Sequence, residues 1–66
     1  MQIFINGEAK QCRAGINIAA LMQQYALDAR KVAIERNLFI VARSLYASTL
    51  LEEGDRLEIV QFIGGG

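Results

Sequence analysis

Gly66 carries the group in this chain with the clearest chemical potential, a terminal carboxylate reached through two further glycines, Gly64 and Gly65. Residues without side chains can thread a slot too narrow for any Cβ, so the carboxylate can reach the floor of another protein's active site. From Phe62 to Gly66 the extended reach is about 14 Å. A carboxylate is a poor electrophile, because it is charged and its leaving group would be oxide. A partner enzyme that adenylates it with ATP makes a mixed anhydride open to a sulfur or amine nucleophile. The plainer reading of the same composition is a frayed terminus.

Other chemistry is thinly supplied. The chain has no His and one cysteine, Cys12, so Ser/His or Cys/His catalysis lacks a general base. Cys12 has no imidazole partner anywhere in the chain, and it reads as a structural residue of a strand. Glu52, Glu53 and Asp55 read as a solvated turn rather than a metal site, which usually takes four ligands. The glycine run has no following Lys-Ser/Thr and helix, so it is not a phosphate loop. Seven basic residues balance seven acidic ones, and no basic run exceeds Arg30-Lys31, which leaves no footprint for nucleic acid or an anionic membrane. No apolar stretch approaches the roughly 20 residues that span a bilayer, and no charged-then-apolar signal opens the chain. The expectation is a cytoplasmic carrier or binding protein rather than an enzyme, holding no metal and no cofactor of its own.

Sixty-six residues make one small domain that buries only about 60% of its unfolded surface. Met1 to Ile5 has strand propensity, and Asn6-Gly7 is a two-residue hairpin turn leading to a return strand of about Glu8 to Arg13. Gly15 lets the chain reverse, and Asn17 caps a helix whose buried face is Ile18, Leu21, Met22 and Tyr25. Strands are predicted over Lys31 to Arg36, Phe39 to Val41 and Arg56 to about Phe62, with one helical turn within Arg43 to Ser48. Strand, strand, helix, strand, strand, strand predicts an α+β fold in which one helix crosses one face of a mixed four- to five-stranded sheet. Residues 1–62 form the domain and 63–66 a flexible glycine tail. If Ile3, Ile5, Leu57 and Ile59 face the helix, alternation turns Phe4, Val60 and Phe62 outward. On neighbouring strands these three would merge into one exposed patch suited to docking a partner.

Met1-Gln2-Ile3-Phe4-Ile5 resembles the first strand of ubiquitin-type proteins, and Gly54-Asp55-Arg56-Leu57-Glu58-Ile59 resembles the last turn and strand of the β-grasp superfamily. Val32-Ala33-Ile34-Glu35-Arg36-Asn37, Ile40-Val41-Ala42-Arg43-Ser44 and Glu53-Gly54-Asp55 are similar to segments of the ThiS family of sulfur carriers in thiamine biosynthesis. The resemblance covers essentially the whole chain, and its specificity lies in the order of the segments, the short length and the glycine end. It departs at Ala42, where the family often has Pro, and at Leu38-Phe39, where the family has a short polar hairpin. It implies a ubiquitin-like β-grasp fold and a working Gly-Gly end at Gly65-Gly66, with Gly64 an added residue. It also implies a ThiF-like adenylyltransferase that consumes ATP, a sulfur donor protein, a Gly66 thiocarboxylate, and a ThiG-like thiazole synthase that takes the sulfur. The small subunit of molybdopterin synthase, a ubiquitin-like modifier joined to lysines, and a plain interaction module with an inert tail are the alternatives.

Overall fold

A computed structural model describes residues 1–62. The chain opens with β1 (Gln2–Ile5), which pairs antiparallel with β2 (Glu8–Gln11). Asn6 and Gly7 both take positive φ, 51° and 83°, the geometry whose twist matches the strands it joins. Helix α1 (Ile18–Gln24) follows. Asn17 stands at its N-cap in extended backbone and accepts the Ala20 N–H at 2.7 Å through its side chain. The helix closes with a Schellman motif: Leu27 N–H donates to the Met22 carbonyl at 2.9 Å and Ala26 N–H to Gln23 at 3.1 Å. Ala26 takes the left-handed position that usually falls to glycine. That ending shortens the sequence expectation by one residue, since Tyr25 becomes the C-cap and is exposed rather than part of the buried face.

Strands β3 (Val32–Arg36) and β4 (Phe39–Ile40) form a second hairpin, and a 3-10 turn at Arg43–Leu45 leads back toward β5 (Arg56–Gln61). The five strands lie in the order β2-β1-β5-β3-β4. β5 therefore occupies the centre, parallel to β1 and antiparallel to β3. Helix α1 packs Ile18, Leu21 and Met22 against Ile3, Val32, Ile34 and Leu57 of the sheet, and Ile16, Tyr46 and Leu51 close the ends of this core. The α+β fold with one helix across a mixed sheet is the one the sequence order predicts, with five strands. Strand ends fall slightly short of the sequence expectation at Met1, Cys12, Arg13, Lys31, Val41 and Phe62. Among the described residues no helix is long and apolar enough to cross a membrane.

Candidate functional site

The glycines Gly64, Gly65 and Gly66, on which the chemical reading rests, lie outside the described residues. The structure shows the strand that leads to them. β5 begins at an anchored turn. Asp55, only 6% exposed, accepts from the Arg36 guanidinium at 2.8 and 2.9 Å, from the Asn37 side-chain amide at 3.1 Å and from the Glu52 N–H at 2.8 Å. Burial pushes its carboxyl up, but the Glu52 N–H, the Asn37 amide and the Arg36 guanidinium outweigh burial and hold it below the ordinary carboxylate value. This corrects the sequence reading of Asp55 as part of a solvated turn. Glu52 and Glu53 are exposed as that reading expects. Among the described residues no three Cys, Asp or Glu side chains gather as a metal site.

Along β5 the side chains alternate. Leu57 is buried in the core with Ile59 packed against it, while Arg56, Glu58, Val60 and Phe62 point away from the helix. The outer face thus holds all three residues of the docking expectation, but not as one patch. Register sets Phe4 beside Arg56, and the Arg56 guanidinium covers the Phe4 ring at 4.5 Å from its centroid. Val60 stands four residues further along β5, about 13 Å away. Glu58 intervenes, directly opposite Glu35 of β3. Val60 is 58% exposed because its neighbour across the ladder is the small Ala33, and Phe62 is 52% exposed. Val60 and Phe62 therefore make one apolar pair at the C-terminal end of β5, and Phe4 belongs to a separate, half-covered site.

A second apolar surface is absent from the sequence reading. The β3–β4 turn places Asn37 and Leu38 at φ 51° and 76°, and Leu38 is 87% exposed, with Phe39 and Ile40 nearly as bare. The signal available in the sequence is the apolar run Leu38-Phe39-Ile40 directly after Asn37, where a hairpin turn usually carries polar residues or Gly. Cys12 is a free, half-buried cysteine just past β2, in keeping with a packing role.

Comparison with known proteins bears on this platform as a whole. The ThiS family model matches residues 3–66. The chain belongs to the ThiS family. The sulfur carrier protein ThiS of Escherichia coli K12 is 38% identical over 68 aligned residues, covering both chains in full. A crystal structure of the thiamine biosynthesis protein ThiS from Geobacter metallireducens superposes with a TM-score of 0.86 at 26% identity, again over the whole of both chains. A thiazole synthase of Paramagnetospirillum magneticum is 50% identical over all 66 residues. The chain spans only one fifth of that protein, 20% of its length, and the same share of a thiazole synthase from Magnetococcus marinus. The ubiquitin-like β-grasp of the ThiS family is thus the fold of this chain.

Proposed function

We propose that this protein is a cytoplasmic sulfur carrier of thiamine biosynthesis and that Gly66 is the residue that carries the sulfur. The observation that carries the reading is the ThiS-family match running through the last glycine. In the proposed cycle a ThiF-like adenylyltransferase binds the tail, with Gly64 and Gly65 threading its active site. A Gly66 carboxylate oxygen attacks the α-phosphorus of ATP, and pyrophosphate leaves. Sulfur delivered at the sulfide level by a donor protein then attacks the acyl carbon, AMP leaves with the bonding pair, and a thiocarboxylate remains. A ThiG-like thiazole synthase accepts that sulfur into the thiazole ring. Relatives in which the matching segment forms one fifth of a thiazole synthase support a link to that enzyme.

The chain's own part in this cycle is to present a reactive end and docking surface, and its partners supply acid-base chemistry and nucleotide binding. Val60 and Phe62, adjacent to the tail, are the proposed contact for the adenylating partner, and Phe4 with Arg56 forms an outlying contact on the same face. The test is intact mass measurement after incubation with ATP, a sulfide source and an active ThiF-like enzyme. The expected product is heavier by the difference between sulfur and oxygen, localised to Gly66. No mass change with a demonstrably active enzyme would overturn the carrier reading and favour an interaction module with an inert tail.

A further inference from the structure

β1 accompanies β5 for only part of its length. Their ladder ends at the Ile5–Leu57 pair, and Asn6 carries the contact two residues further. Its N–H donates to the Leu57 carbonyl at 2.9 Å, its Oδ1 accepts the Ile59 N–H at 2.8 Å, and its Nδ2 donates to the Ile59 carbonyl at 3.2 Å. The side-chain amide copies a backbone peptide and takes the last place on that edge. β5 then runs on to Gln61, while β1 has already turned away at Asn6-Gly7.

On the opposite edge β3 continues. Val32 lies across from Gln61, and the Phe62 N–H donates to the Lys31 carbonyl at 2.8 Å. Antiparallel alternation therefore points the Gln61 N–H and C=O away from β3, toward the place β1 has vacated. Among the described residues nothing pairs with them. An open donor and acceptor on a strand edge is a template for an added strand. Beneath this edge lies a groove of about 480 Å³ with Ile5, Tyr25, Leu27 and Ile59 among its walls.

We propose that the adenylating enzyme lays a short extended segment of its own along this edge, as a strand added beside Gln61, with one apolar side chain seated in the groove. The inference rests on the carrier reading. Successive side chains of such a strand alternate between the groove and the outer face, where Val60 and Phe62 stand exposed. The occupant follows from the chain that remains: Gln61 lies within about 17 Å of Gly66 at full extension, so a segment held there belongs to the body that binds the terminal carboxylate. A second copy pairing through the same edge would bring two tails together and compete with the reaction.

Amide hydrogen exchange on the full chain, alone and saturated with a ThiF-like adenylyltransferase and ATP, tests this. The Gln61 amide exchanges rapidly in the free chain and is expected to slow at least tenfold in the complex, while the Ile59 amide is slow in both. Gln61→Pro deletes the outward donor and keeps the Phe62–Lys31 bond. It is expected to weaken Kd for the enzyme about five- to tenfold, the worth of one backbone hydrogen bond, with an unchanged melting temperature. An unprotected Gln61 amide in the saturated complex overturns the proposal, and this measurement decides the matter if Gln61→Pro fails to fold. Protection that grows with the concentration of the free chain assigns the edge to a second copy and overturns it as well. A wild-type chain that gains sulfur while Gln61→Pro gains it at the same rate and affinity overturns the added strand alone. A wild-type chain that is never adenylated overturns the carrier reading too.

Discussion

Replacing Asp55 by Ala tests whether a buried carboxylate holds the start of the central strand. The substitution removes the acceptor for two guanidinium nitrogens of Arg36, the Asn37 amide and the Glu52 N–H. Arg36 and Asn37 are partly open to water and regain solvation, so the four bonds do not add. One or two net bonds to a charged group, at about 1.5–3 kcal/mol each, set the expected loss at about 2–4 kcal/mol. A 66-residue domain holds about 3–10 kcal/mol in total, and each kcal/mol moves its melting point by about 4–8 °C, so a fall of about 10–30 °C is expected. Denaturant melts of wild type, Asp55→Ala and Asp55→Asn provide the measurement. The pH dependence has a fixed sign. The folded-state pKa lies below the ordinary 3.8, so the carboxylate contributes its stability above that value and loses it as pH falls through the folded pKa. The gap between wild type and Asp55→Asn should hold from pH 7 to about 5 and close below about 4. A loss under about 0.5 kcal/mol for Asp55→Ala, or a gap unchanged at about pH 2, would refute the reasoning.

Leu57 is fully buried on β5, and Leu57→Ala is expected to cost about 2–5 kcal/mol, measured by denaturant midpoint, with partial unfolding at room temperature at the upper end. Leu38→Gly relieves a leucine at φ 76° and creates an Asn-Gly turn; it should raise stability by about 0.5–1 kcal/mol, the left-handed strain less glycine's added chain entropy, and a lower melting point would contradict the turn geometry. Gly66→Ala is expected to leave the melting curve unchanged and to block pyrophosphate release by the adenylating enzyme, which a pyrophosphate assay reads directly.

What the sequence makes legible here is local. Asn6-Gly7, Asn17 and Gly54 announce a turn, a cap and a turn because their backbone demands are met within a few residues, and Val32 and Ile34 announce a buried face by alternation. Partner strands have no such signal. Nothing near Ile5 or Leu57 states that they lie side by side, so alternation put Phe4, Val60 and Phe62 on the correct face without showing that register sets Phe4 beside Arg56 and separates it from Val60. Asp55 reads as a solvated turn residue because its partners Arg36 and Asn37 come from a hairpin nearly twenty positions away in the chain. Tyr25 fits the helical period, yet Ala26 ends the helix in a conformation that alanine composition does not advertise. The glycines Gly64 to Gly66 stand out in sequence by their lack of side chains, whereas the open edge at Gln61 depends on where β1 stops and required the fold.

The central place of β5 has a consequence for how the protein is made. β5 is the last strand among the described residues, yet it joins β1 to β3, so a fragment that ends before it lacks the strand that links the two halves of the sheet. During synthesis the hairpins and helix emerge first, and the core is completed only once Leu57 of β5 packs with Ile3 and Ile34. Such dependence on distant contacts slows folding relative to a helical domain of equal size. A fragment that stops before β5 lacks Leu57 and Ile59 from the core and the strand that links β1 to β3.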